Sequence, residues 1–146
     1  MEIATFDSLM RVLVAAGLSA AIGLEREYHQ KPAGLRTNML IGIGAAVFMM
    51  LSLSLTSAGS ADRIAAQIVT GIGFLGAGAI LHSGENVHGL TTAATIWVNA
   101  AIGMAAGAGL NRVALGTTIL TLLVLAALPP VESFFERWAH RRGERS

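Results

Sequence analysis

The residues best equipped for chemistry in this chain are few and widely separated. His82, Glu85 and His88 follow one another at three-residue steps. Such a set could be offered as a metal site, but the spacing is not that of a zinc-binding helix, and Gly84 and Gly89 interrupt the segment. It reads as a solvated loop over 83–89. Gly71, Gly73 and Gly76 spell a dinucleotide-type G-x-G-x-x-G. No strand precedes it and it lies inside an apolar run, so the glycines read as places where another helix comes close. Four charged groups, Glu25, Arg26, Arg36 and Arg63, border long apolar stretches, where charge is costly and often functional. Gln67, Thr70, Thr92, Thr95 and Asn99 add polar groups inside such stretches. Interhelical hydrogen bonding explains these five first, and lining of a polar cavity second. No phosphate-binding loop, nucleophile elbow or triad order is visible. The expectation is a protein that is not an enzyme and needs no cofactor, with metal binding left open.

The elements that must carry these residues follow from where charge is missing. The chain has 146 residues, of which 53% are hydrophobic and 13% charged. That is half the charged share of roughly 25% in soluble domains, too little to cover a water-facing surface. Without cysteine, disulfides and thiolate chemistry are excluded. Charge-free gaps of 13, 25, 21, 26 and 19 residues lie between Arg11, Glu25, Arg36, Asp62, Arg63, Glu85, Arg112 and Glu132. A membrane-spanning helix needs about 20 apolar residues. The expected fold is therefore all-α: a polytopic membrane bundle of five transmembrane helices near 6–24, 37–58, 64–82, 90–109 and 112–128. Arg11 enters the first span, where it can snorkel outward and pair with Asp7 one turn earlier. The N-terminus shows no removable signal peptide, so the first apolar segment is expected to stay as a helix.

Lys and Arg set the expected orientation. Seven of the ten basic residues fall on the side holding Arg26, Lys31, Arg36 and the C-terminal Arg137, Arg141, Arg142 and Arg145. The positive-inside rule then puts the N-terminus outside and the C-terminus in the cytoplasm. Pro129 and Pro130 should stop the last helix. The domain division is thus 1–130 for the membrane domain and 131–146 for a basic amphipathic tail. Val131, Phe134, Phe135 and Trp138 share a face there, suited to the inner leaflet rather than to nucleic acid.

Two segments repeat at an offset of 55. Gly34/Gly89, Leu35/Leu90, Thr37/Thr92, Ile41/Ile96, Ala45/Ala100, Ala46/Ala101 and Gly23/Gly78 are identical. A two-hairpin parallel repeat would produce this pattern, as would chance among abundant small residues. It would bring two helix N-termini to one face, each with a threonine able to cap it. Arg36 at such an end wants a carboxylate, and Glu25 or Glu27 is within reach, with Pro32 and Gly34 supplying the bend between them. Glu25 with Arg36 is the expected pair. Gly71, Gly73, Gly76, Gly78, Gly103 and Gly107 are the expected helix-packing glycines.

The stretches Gly23-Leu-Glu-Arg-Glu27, Ala33-Gly-Leu-Arg-Thr-Asn38, Arg63-Ile-Ala-Ala-Gln-Ile-Val69, Gly71-Ile-Gly-Phe-Leu-Gly-Ala-Gly78 and Gly89-Leu-Thr-Thr-Ala-Ala-Thr-Ile-Trp97 stand in one order over residues 23 to about 109. Together they resemble the MgtC/SapB family of bacterial inner-membrane proteins. That resemblance implies a five-helix membrane domain, a role in growth at low magnesium, and a link to virulence and to restraint of the F-type ATP synthase. The positions matched are Glu25, Arg26, Arg36, Thr37, Arg63, Gln67, Thr92 and Trp97. MgtC-type members continue into a soluble domain, whereas this sequence stops at Ser146, and some carry Asn where Thr91 stands. The expected function is that of a short, regulatory inner-membrane member acting on another membrane complex such as ATP synthase. The lipid bilayer and a second copy of the chain are further expected partners. The alternative is a small carrier or channel for an ion or solute.

Overall fold

The computed structural model describes residues 2–55, 61–83 and 86–143. Its elements in chain order are α1 (Glu2–Tyr28), α2 (Leu35–Ser54), α3 (Ala61–Gly78), β1 (Leu81–Ser83), β2 (Asn86–His88), α4 (Leu90–Gly107) and α5 (Asn111–Gly143). Four of the helices are long and apolar enough to cross a membrane, over Thr5–Tyr28, Leu35–Ser54, Leu90–Gly107 and Asn111–Pro130. The fifth apolar helix, over Arg63–Gly78, is shorter. The expected five spans thus correspond to four full-length helices and one short one among the described residues.

The third helix, with 18 residues as long as α4, ends at Gly78 instead of 82. The expected loop then forms a small antiparallel hairpin with Leu81 opposite His88 and His82 opposite Val87. Gly89 closes the hairpin in the left-handed region at φ 88°, its α-carbon against the Ala79 carbonyl, where a side chain has no room. Glu85 lies outside the described residues.

The last helix also departs from expectation. It runs through Pro129 and Pro130 to Gly143 instead of stopping. Proline's fixed φ is itself helical, so the backbone can continue. The cost is the two N–H groups that would otherwise reach the carbonyls of Leu125 and Ala126. The side chains of the apolar face expected beyond Pro130 lie outside what the structure describes.

The helices pack around α2 and α4. Half of the α4 span is buried by its neighbours, against 17% for α5, so α4 is central and α5 peripheral. One core cluster joins Ala15 and Ile22 of α1 to Ala46, Ile102, Ala106, Ala114 and Leu125. The other joins Ile41 and Ala45 to Ile68, Ile96 and Ala100. In both, alanine and isoleucine side chains from α2 and α4 meet.

This close approach is permitted by glycine. A Cβ on Gly103 would sit 2.5 Å from the Gly42 carbonyl oxygen, and one on Gly107 would strike the Ala46 carbonyl. The pairings 42 with 103 and 46 with 107 advance together, so α2 and α4 run parallel. Helix α1 packs antiparallel on the same seam: Gly42 faces Ser19, and a Cβ on Gly23 would lie 2.7 Å from the Leu35 α-carbon. The expected packing role is therefore seen at Gly103 and Gly107. Gly76 makes only ordinary contact with Ala93, and Gly71, Gly73 and Gly78 face open space. Glycine spacing reports that a helix can be approached, not that this chain supplies the partner.

At the opposite end of α1, Arg11 pairs with Asp7 at 2.8 Å, as its spacing predicts. It also donates to the Gly107 carbonyl at 3.1 Å, placing positive charge at the C-terminus of α4.

Gly107→Ala is expected to lower the melting temperature of the detergent-solubilised protein, since overpacking a tight contact typically costs about 1–3 kcal/mol. Gly73→Ala should leave melting unchanged or raise it, because alanine favours helix by about 1 kcal/mol and meets nothing there. Circular-dichroism melts of the two variants separate these outcomes.

Candidate functional site

Three helices each contribute a polar residue one turn from a glycine: Ser19 with Gly23, Asn38 with Gly42, and Asn99 with Gly103. The glycines let the backbones close up, and the polar side chains are thereby trapped. Ser19, Asn38 and Asn99 are each fully buried. The Asn99 side-chain amide donates to the Asn38 backbone carbonyl at 2.8 Å. That of Asn38 donates to the carbonyls of Ala33 and Gly34, the latter at 3.0 Å. Asn38 thus ties the first turn of α2 to the loop before it. The Oδ1 atoms of Asn38 and Asn99 and the Oγ of Ser19 are buried without a hydrogen-bond partner. An amide that needs a partner and lacks one costs free energy, so the junction holds unused acceptor capacity.

One turn along the same face of α1 lies Arg26, only 4% exposed. Its Nη1 lies 3.5 Å from Glu25 Oε2, and its Nε has no hydrogen-bond partner. Glu25 is also approached by His29, whose Nδ1 is 3.0 Å from Oε1 and 2.9 Å from the Glu25 carbonyl. Oε1 is thus engaged within α1, while Oε2 is buried with no hydrogen-bond partner and only the longer approach of Arg26.

The expected Glu25–Arg36 pair does not form. Arg36 is exposed, and among the described residues no carboxylate lies within ion-pair distance of it. Glu27 serves the second helix instead, its Oε2 accepting from the Leu35 N–H at 2.9 Å. A carboxylate there satisfies one free N–H and meets the positive end of the helix dipole. It also explains why Gly34, packed against Glu27, carries no side chain. The threonine caps do not form either. The N-cap positions are Gly34 and Gly89, neither with a side-chain cap bond, and Thr37 and Thr92 lie three residues further in. The bend before α2 rests on Gln30 and Ala33, both at positive φ, rather than on Pro32 and Gly34.

The remaining expected residues lie in several places. Thr92 and Thr95 are buried on α4 with Asn99, and Thr95 bonds back to the Thr91 carbonyl at 2.7 Å. Thr70 does the same with Ala66 at 3.1 Å. Thr37 and Gln67 line a largely apolar groove of about 630 Å³ between α2 and α3. Arg63 is exposed, as is Trp97 at 53%. Among the described residues, no group of three or more His, Asp or Glu is placed to hold a metal ion. The sequence points to Glu27 only as an alternative partner of Arg36; the signal for the junction residues Ser19 and Asn38 is the polar residue–glycine spacing shared by three helices.

With this geometry in place, likeness to known proteins is informative. Residues 12–134 match the model of the MgtC family. The protein of Escherichia coli K12 named "Putative magnesium transporter YhiD" is 50% identical, covering 83% of this chain and 60% of that protein. Protein MgtC of Salmonella typhimurium LT2 is 53% identical, over 80% of this chain and 50% of its own length. Protein MgtC of Brucella abortus is 48% identical, over 86% and 53%. The chain spans about 50–60% of the length of these relatives. No solved structure matches it. The chain belongs to the MgtC family, and its four long apolar helices make it a multi-pass membrane protein.

Because Glu25 acts within α1, the double exchange Glu25→Arg with Arg36→Glu should recover none of the stability lost in Glu25→Ala. Glu27→Ala should cost about 1 kcal/mol, the usual loss for a helix N-cap. Thermal melts of the three variants and the wild type in one detergent measure both effects; recovery by the exchange would restore the Glu25–Arg36 pairing.

Proposed function

We propose that this MgtC-family chain is a regulatory inner-membrane protein in magnesium homeostasis, working by contact with another membrane complex. The observation that carries the reading is the closed centre of the bundle. There α2 and α4 meet backbone to backbone at Gly42–Gly103 and Ala46–Gly107. The Asn99 amide, the donor a solute would need there, is engaged with the Asn38 carbonyl. Magnesium gives up its water reluctantly and travels among oxygen ligands. The groove between α2 and α3 offers it two polar side chains, Thr37 and Gln67, in an apolar wall.

Contact surfaces, by contrast, are plentiful. Gly71, Gly73 and Gly78 present a bare backbone on the short helix α3. Such faces suit close helix association in lipid, whether with a partner complex or with a second copy. ATP synthase is the partner the family resemblance suggests. The chain supplies recognition and no catalysis of its own. The orientation belonging to this reading has α3 as a fifth span, the N-terminus outside and the C-terminus in the cytoplasm. The parallel course of α2 and α4, with Gly34 and Gly89 at matching N-caps, supports a two-hairpin repeat.

A carrier for a small ion or solute is the second reading. It is favoured by the unpaired oxygens of Ser19, Asn38 and Asn99 and by the name of the Escherichia coli relative. Two assays separate the readings. Inverted membrane vesicles enriched in this protein should pump protons more slowly than vesicles without it, while liposomes containing it should take up magnesium no faster than empty ones. Magnesium uptake above the empty-liposome rate would replace the regulator with the carrier. Unchanged pumping at saturating protein, with no co-purifying membrane protein, would remove the ATP-synthase version.

A further inference from the structure

The groove between α2 and α3 has a charged end that neither reading above uses. Leu40, Gly44 and Phe48 form one wall, a single row of every fourth residue along α2. Gln67, Gly71 and Leu75 form the facing wall on α3. From Thr37 to Phe48 the groove runs about 16 Å at 1.5 Å per residue. Its volume of about 630 Å³ lies within the range of small-molecule sites, about 300–1,000 Å³. Leu40, Phe48 and Leu75 are exposed along it, so the groove is open at the bundle surface.

Arg36 continues the α2 row one turn beyond Leu40, at the Thr37 end of the groove. It is exposed, with no carboxylate within ion-pair distance among the described residues. The first turn of α2 contains no acid, so the helix dipole adds to its positive field. The neighbouring carboxylate, Glu27, accepts from the Leu35 N–H and offsets part of the dipole, but it forms no ion pair with Arg36. Arg63 stands at the other end, on the row 63–67–71–75, but it directly follows Asp62 in the chain. The two ends are therefore unequal.

We propose that this groove binds one anionic phospholipid, with an acyl chain between α2 and α3 and the phosphate at Arg36 and the Thr37 hydroxyl. The apolar walls take the tail by burial of hydrocarbon. The guanidinium can meet two phosphate oxygens at once. Gly44 and Gly71 keep the groove open: a Cβ at either would have nothing within 4 Å. Gln67 is exposed, so its amide can turn toward the ester region of the lipid or away from the tail. The proposal needs the chain to lie in a membrane and is independent of what it regulates or carries.

Native mass spectrometry of the purified protein, titrated with phosphatidylglycerol or phosphatidylcholine of equal chain length, tests it. The wild-type chain should retain one phosphatidylglycerol with about fivefold preference, the factor expected for one basic residue at a lipid surface. Arg36→Ala should abolish that preference, and Arg63→Ala should keep it. Gly71→Leu and Gly44→Leu should lose most of the occupancy of both lipids while keeping the wild-type circular-dichroism spectrum. If one leucine variant fails to fold, the other decides. Full preference in Arg36→Ala, its loss in Arg63→Ala instead, or unchanged occupancy in a folded leucine variant would overturn the assignment. So would a lipid-free dimer that the leucine variants dissociate, since a second copy would then fill the groove.

Discussion

The parallel contact of α2 with α4 is the constraint on which the rest of this bundle depends. Lipid tails are as apolar as leucine, so helices in a bilayer are held by close packing and by hydrogen bonds between them. Both meet on this seam. Gly103 lies against the Gly42 backbone and Gly107 against Ala46, and one turn away the Asn99 amide reaches the Asn38 carbonyl. Helix α1 then docks antiparallel on the same line through Ser19 and Gly23, and Arg11 ties its far end to the Gly107 carbonyl. The outer helices add area: α3 covers the face around Ile96 and Ala100, and α5 the face around Ile102 and Ala106.

Tight packing at this seam also confines its polar groups. Asn38 and Asn99 each use their amide hydrogens and leave their oxygens without partners, and Arg26 is buried with an unused Nε. Such groups are costly in a low-dielectric interior. Their arrangement fixes the register of three helices, because a slip of one residue would break the Asn99–Asn38 bond and drive a larger side chain into Gly42. The exposed features lie elsewhere, on the Gly-rich α3 and around Arg36. The molecule thus separates a rigid, closed centre from a periphery open to lipid and protein.

Much of this was legible in the sequence, for definable reasons. Charge is so costly in hydrocarbon that its gaps locate four helices directly and the first once Arg11 is allowed inside it, and the four-residue spacing of Asp7 and Arg11 gives their ion pair. Where several partners could satisfy one group, the sequence did not choose among them. Arg36 and Glu25 are complementary in charge across the turn, yet Glu27 meets α2 through a backbone N–H, which no charge pattern advertises. The hairpin at 81–88 was missed because strands of three residues are too short to show a period. Pro129 and Pro130 were read as a stop because proline removes a hydrogen bond, although its φ suits a helix. The motif matches gave the family and could not tell whether Arg26 or Arg36 would be the buried arginine.

The closed junction at Asn99 is the claim most directly open to measurement. The chain contains no cysteine, so Asn99→Cys provides a single reporter. The variant is exposed to a membrane-impermeant thiol reagent from each side of the membrane in turn, and again after denaturation. A sealed seam predicts labelling only in the denatured protein. Labelling of the folded protein from either aqueous side would show a water-filled path to the middle of the bundle and contradict the account.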